Sequence, residues 1–336
     1  MRFTQRSVIV ISLAFAGLVP AAATVAATPP APAGAGAAHA GNRCFQVTAT
    51  IPVRRPAFEV AVNPKTNTAY VANGGNVSVI NGRTNTVAAT IHLGGSPYAV
   101  AVNPKTNTIF ATHGNLGTGS IAVINGQTNT VAATIPVALL PVGVAVNPKT
   151  NTVYAADNHV SVIDGRTNTV VATIPVALGA VGVAVNRKTN TIYVTNSNSN
   201  VSVIDGRTNT VVATIPVSAG TTGVAVNPRT NTAYATNGLS PGMLWVINGR
   251  TNTLAAAIPV GDLPQRVAVN PKTNTIYVAN EGAGTGGTVS VINGRTNTVA
   301  ATIPVGTAFG IAADPKTNTA FVSGADSVSV IAPCRK

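Results

Sequence analysis

The sequence contains few aromatic and few charged residues. Aromatic residues make up 4% and charged residues 9% of the 336 residues, and only eight residues are acidic. Against them stand 21 lysines and arginines, so the formal net charge is +13. The commonest residues are Asn, Thr, Val, Ala and Gly. This composition favours short strands and tight turns over helices, because β-branched side chains pack on a pleated sheet and Asn and Gly tolerate turn dihedrals.

Long apolar runs are also missing, except at the N-terminus. Arg2 and Arg6 precede an apolar segment from residue 7 to residue 18, and small residues follow. This order is typical of a secretory signal peptide, with candidate cleavage sites at Val25–Ala27 and Ala38–Ala40. No later apolar run is long enough to span a bilayer. We therefore expect an exported, secreted or cell-envelope-associated protein whose residues 1–40 are signal peptide plus an Ala/Pro-rich tether.

One polar phrase, Asn-Pro-Lys-Thr-Asn-Thr, recurs with small changes along the rest of the chain. Its seven copies begin at Asn63, Asn103, Asn147, Asn186, Asn227, Asn270 and Asp314. A period near 40 residues without a helical pattern predicts a β-propeller of four-stranded blades. In the first unit the predicted strands are Val60–Val62, Ala69–Ala72, Val77–Ile80 and Val87–Ile91, each bounded by turn residues.

A second phrase, Asn/Asp-Gly-Arg-Thr-Asn-Thr, lies between the third and fourth strands of the units. It begins at Asn81, Asn125 (with Gln in place of Arg), Asp164, Asp205, Asn248 and Asn293. Both phrases start with a residue pair that favours tight turns, and the later Asn suits a left-handed conformation. The phrases therefore predict two hairpins of one design in each blade.

The seventh unit ends before its fourth strand. The segment Val47–Val53 matches the missing strand, so the N-terminus is predicted to complete the last blade and close the ring, which removes an unpaired inner edge. The only two cysteines, Cys44 and Cys334, fall in adjacent columns of the same predicted turn, and we expect them to form a disulfide. Residues 41–336 are thus predicted to be one all-β domain, a seven-bladed β-propeller of four-stranded antiparallel blades.

The second strands of several units read Tyr-Val-Thr-Asn or a close variant, as in Tyr193–Asn196, Tyr70–Asn73 and Tyr277–Asn280. In these residues the chain resembles the YVTN-repeat β-propeller family, and the match covers residues 44–334. The resemblance implies a seven-bladed ring, commonly on exported or surface-layer-like proteins. It implies little about activity, since members and fold relatives include surface-layer-like proteins, a periplasmic DNA-binding type, lactonases and an antibiotic-cleaving lyase.

The antiparallel strands place both phrases on one face of the predicted disc, which we call the basic face. Its turns carry twelve cations at the third position of the phrases. They are Lys65, Arg83, Lys105, Lys149, Arg166, Lys188, Arg207, Arg229, Arg250, Lys272, Arg295 and Lys316. Arg43, Arg187, Arg335 and Lys336 belong to the same face, where only Asp164, Asp205 and Asp314 oppose them. The other face, here the upper face, has three arginines and five acidic residues.

This one-sided charge has two interpretations. The cations dock the protein on a polyanion, or they only keep exposed turns soluble. The turns lack the aromatic side chains that stack on single-stranded nucleic acid, and they offer no element shaped for a DNA groove. An anionic wall polymer or acidic polysaccharide is the predicted partner, and sequence-nonspecific DNA binding is an alternative. We expect a monomer that needs no cofactor and leaves its upper face for a protein or small molecule.

A candidate upper-face site contains five polar residues that break the repeat. They are Glu59, His113, Asp157, His159 and Arg266. Histidine and carboxylate are competent ligands for a divalent cation, but the same columns hold Asn in other blades, so loop variation explains the pattern as well. Glu59 and Arg266 replace glycines and suggest an ion pair or a small-ligand site. A lyase- or lactonase-like enzyme is the alternative from another class, although no nucleophile with a base is evident and we assign no catalytic residue.

Overall fold

The computed structural model describes residues 44–115, 118–137, 141–177, 179–284 and 286–334, and these residues form strands and turns. The predicted signal peptide and tether, and the cations Arg43, Arg335 and Lys336, lie outside these residues. Within them no helix is long and apolar enough to cross a membrane.

Seven four-stranded antiparallel sheets make up the described domain. Blade 1 contains β2 (Ala57–Asn63), β3 (Thr68–Asn73), β4 (Asn76–Asn81) and β5 (Thr86–His92). Blade 2 contains β6 (Val100–Asn103), β7 (Thr108–Asn115), β8 (Thr118–Asn125) and β9 (Thr130–Val137). Blade 3 contains β10 (Gly143–Asn147), β11 (Thr152–Ala156), β12 (Val160–Asp164) and β13 (Thr169–Ile174). Blade 4 contains β14 (Ala180–Asn186), β15 (Thr191–Asn196), β16 (Asn200–Asp205) and β17 (Thr210–Pro216).

The remaining three blades follow the same pattern. Blade 5 contains β18 (Val224–Asn227), β19 (Thr232–Thr236), β20 (Met243–Asn248) and β21 (Thr253–Pro259). Blade 6 contains β22 (Pro264–Asn270), β23 (Thr275–Asn280), β24 (Gly287–Asn293) and β25 (Thr298–Gly306). Blade 7 contains β26 (Gly310–Asp314), β27 (Thr319–Ser323), β28 (Ser327–Pro333) and, as its outermost strand, β1 (Phe45–Pro52). The seven-bladed architecture is as the repeat predicts, and the strands of the first unit are longer at both ends than predicted.

The innermost strands pack side by side around the centre, from β2 through β6, β10, β14, β18 and β22 to β26, which returns to β2. The core lies between the blades, in seven hydrophobic clusters that each combine residues of two neighbouring blades. Each second strand contributes one buried ring. These rings belong to Tyr70, Phe110, Tyr154, Tyr193, Tyr234, Tyr277 and Phe321. The few aromatic residues thus supply one fully buried aromatic side chain to each interface between blades, where the burial of apolar area stabilises the propeller.

The outermost strands share a β-bulge near their beginning. In blade 1 the register with β4 shifts after Val79, which pairs with Ala89, while Ile80 pairs with Val87. The same irregularity occurs in the other six blades. A bulge twists the outer strand and breaks the regular row of unpaired N–H and C=O groups along its free edge. This irregularity discourages the pairing of that edge with a strand of another molecule. The bulged residue is exposed, and Val171 and Val212 are the most exposed large hydrophobic side chains of the described chain.

The N-terminal strand closes the ring. β1 pairs with β28 from Phe45 opposite Pro333 to Pro52 opposite Ser327. Cys44 and Cys334 form a disulfide with a Cα–Cα distance of 5.2 Å, and the amide of Cys334 donates to the carbonyl oxygen of Cys44. The predicted completion of the last blade by the N-terminal strand and the predicted disulfide are both confirmed. A disulfide is consistent with an extracellular location.

Candidate polyanion-binding face and upper-face site

The repeated phrases form thirteen turns of one geometry on the basic face. In each turn, Oδ1 of the first residue accepts a hydrogen bond of 2.7–3.0 Å from the backbone N–H of the third residue. The fifth residue is an Asn with φ between 54° and 60°, a left-handed conformation that Asn adopts more readily than most residues. The turn therefore uses the backbone of its third residue and not its side chain.

A natural comparison within the chain confirms that the third side chain is dispensable for the turn. Gln127 occupies the position that Arg or Lys holds elsewhere, and its backbone N–H donates to Oδ1 of Asn125 at 2.8 Å. Asn129 of the same turn has φ 57°, within the range of the other turns. The cationic side chains are thus not required by the local geometry.

The two turns of each blade are bonded to one another. The N–H of the glycine at position two of the second phrase donates to the carbonyl oxygen of the left-handed Asn in the first phrase, as in Gly82 to Asn67 at 2.8 Å. A Cβ at position 82 would lie 2.5 Å from Oδ1 of Asn67, so the approach requires glycine. The same bond recurs in blades 2 to 6. The two turns of blades 1 to 6 are therefore held as pairs.

Neighbouring blades are also bonded through these phrases. The Asn that begins the first phrase of one blade donates through Nδ2 to Oδ1 of the left-handed Asn in the next blade. The six pairs are Asn63–Asn107, Asn103–Asn151, Asn147–Asn190, Asn186–Asn231, Asn227–Asn274 and Asn270–Asn318, with distances of 2.6–2.7 Å. The sequence-based interpretation as turn chemistry missed this second role. The signal was the persistence of Asn at the first position of six of the seven copies.

The seventh junction, between blades 7 and 1, departs from this pattern. Asp314 occupies the donor position, and a carboxylate has no N–H to donate. Its side chain is fully buried, Oδ1 accepts from the N–H of Lys316, and Oδ2 has no hydrogen-bond partner among the described residues. Oδ1 of Asn67, the corresponding acceptor in blade 1, likewise lacks a donor. The junction between blades 7 and 1 therefore lacks the side-chain amide bond that joins the other six pairs of neighbouring blades.

The twelve predicted cations of the basic face are all exposed, and so is Arg187. Of the three aspartates on this face, Asp314 is buried, whereas Asp164 and Asp205 accept hydrogen bonds within their own turns. Arg207 forms an ion pair of 3.0 Å with Asp205. Its side-chain hydrogen bond lowers the pKa of the Asp205 carboxyl, and the same bond raises the pKa of Arg207. Arg207 is the only one of the twelve cations in such a pair within the described chain.

The upper face brings Glu59 and Arg266 together. Nε of Arg266 donates to Oε2 of Glu59 at 2.9 Å, although the two residues belong to blades 1 and 6. Gly310 lies between them in blade 7, and a Cβ there would lie 2.8 Å from Cα of Glu59. The pair lines a cavity of about 40 Å³ together with Gly143, Gly182 and Gly223. These residues thus meet at the inner strands, where the cavity is too small for an organic ligand.

Of the other three upper-face candidates, Asp157 and His159 share the turn between β11 and β12, where the N–H of Asp157 donates to the carbonyl oxygen of His159 at 3.1 Å, whereas His113 belongs to β7 of blade 2. Asp157 is buried and accepts a hydrogen bond of 2.9 Å from Oγ of Ser161. Asn73 makes the equivalent contact with Ser78 in blade 1, so Asp157 fills a position that is structural elsewhere. His113 packs close to Gly95, and His159 is exposed. The described residues include no group of three His, Cys, Asp or Glu side chains placed to hold a metal ion.

Comparisons with known proteins support the propeller fold but identify no family for this chain. No family model and no curated protein matches this sequence. Among solved structures, the chain is similar to Kuenenia stuttgartiensis hydrazine synthase, with a TM-score of 0.72 and 18% identity over 83% of this chain and 96% of that chain. A likeness at this identity shows a shared propeller fold alone. The YVTN-repeat family is therefore a resemblance carried by the repeat residues.

Proposed function

We propose that this protein is an exported, non-enzymatic binding propeller whose basic face docks on an anionic polymer of the cell envelope or the extracellular space. One observation carries the proposal. The third side chain of the turns is free of any role in turn geometry, yet it is Lys or Arg in twelve of thirteen turns. The fold does not require a particular side chain at this position. Its repeated occupation by a positive charge therefore favours a role in binding a partner.

The distribution of charge supports the same proposal. The cations alternate between an inner ring of first-phrase turns and an outer ring of second-phrase turns, and all of them are exposed. A surface with cations spaced over a whole face holds a long polyanion at many points, and each contact contributes modestly. The two half-buried aspartates of this face, Asp164 and Asp205, weaken the field only at blades 3 and 4.

An acidic polysaccharide or anionic wall polymer fits these turns better than nucleic acid does. The turn phrases contain Asn, Pro, Gly, Thr and cations, and no ring on which a base stacks. Arg presents a planar pair of donors to a carboxylate or phosphate, and neighbouring Thr hydroxyls donate and accept hydrogen bonds. The upper face, which has five acidic residues and three arginines, stays free for a protein or small-molecule partner.

The test measures binding of the mature protein to a polyuronate, a poly(glycerol phosphate) polymer, duplex DNA and neutral dextran over a series of salt concentrations. We expect salt-sensitive binding to one of the two envelope-type polymers and none to dextran. Preferred binding to DNA replaces the proposal with the sequence-nonspecific alternative. Absence of binding to every polyanion at low salt contradicts the proposal altogether.

Two sets of variants on the same face sharpen this test. Arg250→Gln with Arg295→Gln removes two cations from turns that begin with Asn. Arg166→Gln with Arg207→Gln removes two cations from turns that begin with Asp, including the pair with Asp205. If docking is electrostatic, the first double variant weakens binding more than the second. Equal losses indicate that the aspartates do not screen the polymer.

A further inference from the structure

A groove of about 590 Å³ lies at the seam between blades 7 and 1 of the described domain. It is formed by the end of β1 and the residues that follow it on one side, and by β4 and β5 on the other. Pro52, Val53 and Val87 supply apolar walls, and Thr90 supplies a hydroxyl. Its volume lies within the range of small-molecule sites, about 300–1,000 Å³.

Two residues that break the repeat line this one groove. The first is His92, which follows Ile91. At this position the other six blades have Pro52, Pro136, Pro175, Pro216, Pro259 and Pro304. The second is Arg54, two residues after Pro52. At this position the other blades have Gly94, Ala138, Ala177, Ser218, Gly261 and Gly306. The seam groove thus carries a cation and an imidazole at positions where its counterparts carry small residues and proline.

The hydrogen bonds around His92 fix its ring. Nδ2 of Asn76 donates to the carbonyl oxygen of Gly74, so Oδ1 of Asn76 is the atom that faces Nδ1 of His92, at 2.6 Å. Because Oδ1 only accepts, Nδ1 carries the proton and Nε2 of the neutral ring is a hydrogen-bond acceptor. His92 is exposed, and Nε2 makes no hydrogen bond within the described residues. The groove therefore has an acceptor suited to a ligand hydroxyl.

Arg54 is held in the groove by its backbone, whereas its guanidinium makes no bond within the described residues. Nδ2 of Asn73 donates to the carbonyl oxygen of Arg54 at 3.1 Å. The next residue, Arg55, pairs with Asp326, the acidic residue of the adjoining loop. Within the described chain the Arg54 guanidinium itself has no hydrogen-bonding or ionic partner. It remains available to hold a carboxylate, for which its fork of N–H groups is the preferred geometry.

We propose that this seam groove is a binding site for a hexuronic acid unit, with the carboxylate on Arg54 and a ring hydroxyl on Nε2 of His92. Thr90 is placed to contact a further hydroxyl, and the apolar walls of Pro52, Val53 and Val87 suit the C–H face of the sugar. The site lies away from the repeated turns and does not depend on the docking function of the basic face.

The test titrates the mature protein with galacturonate, glucose and acetate and follows heat and the His92 ring resonances. His92→Pro and Arg54→Ala each restore a residue type that other blades have at the same position, so both variants are expected to fold. Arg187→Pro is the matched control. It also replaces an arginine found in one blade by the residue that the other six blades have, here proline, but it lies on the basic face.

We expect galacturonate to bind the wild-type protein and to shift the His92 resonances. His92→Pro and Arg54→Ala are each expected to weaken binding by about tenfold or more, since each loses a polar or charged contact. Arg187→Pro is expected to bind like the wild type. Absence of binding to the wild type, equal affinity for glucose or for acetate, or unchanged affinity in both variants overturns the proposal.

Discussion

The side-chain amide of Asn147 donates a 2.6 Å hydrogen bond to Oδ1 of Asn190, the left-handed residue of the next blade. Asn147 also accepts the backbone N–H of Lys149 through its own Oδ1, so one buried side chain shapes its turn and joins two blades. This double use explains why Asn, and not merely any turn-forming residue, begins six of the seven first phrases. The first position of the phrase thus has a structural role, whereas the cationic side chain at the third position has none in the turn.

The first prediction concerns this bond between blades. Asn147→Ala removes the turn acceptor and leaves Oδ1 of Asn190 buried without a donor, which is expected to lower the free energy of unfolding by about 2–3 kcal/mol. The control is Asn248→Ala, because exposed Asn248 makes the same turn contact with Arg250 and no bond to another blade. Its expected loss is about 1 kcal/mol or less. Urea unfolding measures both, and equal losses would refute the role assigned to the second bond.

A second prediction follows from the incomplete seventh junction. Asp314→Asn supplies the missing N–H donor opposite Asn67 and removes a buried carboxylate oxygen that lacks a partner. The variant is expected to raise the free energy of unfolding by about 1 kcal/mol. Asn67→Ala in the Asp314→Asn background should abolish the gain. A loss of stability in Asp314→Asn alone would show that the carboxylate already has a donor.

The fold was largely predictable from the sequence because each blade repeats the same local signals. The spacing of the first phrase gave the number of blades, and the match of Val47–Val53 to the outer strands gave the closure. The strand bounds were less accurate. β2 begins at Ala57 and not at Val60, since its first residues pair across an irregularity between Ala57 and Glu59 that no periodic pattern reveals.

The candidate sites were less predictable, since they depend on contacts between blades. Glu59 and Arg266 meet although 207 residues separate them, because the ring brings blades 6, 7 and 1 together and Gly310 leaves space. The grouping of His113, Asp157 and His159 rested on columns of the repeat, and columns do not give side-chain direction. The seam groove was missed because His92 and Arg54 follow the outer strands of two different blades and adjoin only after the N-terminal strand closes the ring.

The third prediction concerns closure by the disulfide. Cys44 and Cys334 are separated by 290 residues, so their bond constrains most of the unfolded chain. In the chain-entropy model a loop of this size contributes about 5–6 kcal/mol to stability. Reduction, or Cys44→Ala with Cys334→Ala, is expected to lower the urea midpoint sharply. Intact-mass analysis before and after reduction verifies the bond, and two free thiols in the protein purified without reductant would contradict the assignment.

The fourth prediction is a loss of stability at alkaline pH. The pKa of Tyr154 and of Tyr234 is raised from 10.0 to about 12, mainly by burial, and at Tyr154 the charge of Asp205 supplies a smaller part of that increase. The folded chain therefore holds these protons more tightly than the unfolded chain. Their stabilising contribution is complete below pH 10 and is lost as the pH rises from 10 to 12, by about 2–3 kcal/mol for each ring at full titration.

The variant Tyr154→Phe with Tyr234→Phe tests this dependence. Phe110 and Phe321 occupy the same position in blades 2 and 7, so the substitution is expected to change stability little at pH 7. Between pH 10 and pH 12 the variant should lose less stability than the wild type in thermal unfolding. Parallel curves for the two proteins over this range would show that the alkaline loss has another origin.

We propose that the cations of the repeated turns serve docking and not folding. The most direct measurement compares the wild type with a variant in which Arg83, Arg166, Arg207, Arg250 and Arg295 are all changed to Gln, the residue that position 127 already has. Thermal stability and binding to the preferred anionic polymer at low salt are measured on the same samples. We expect nearly unchanged stability and binding weakened by about 100-fold or more, with a shallower salt dependence. Unchanged binding, or a loss of stability large enough to unfold the ring, would contradict it.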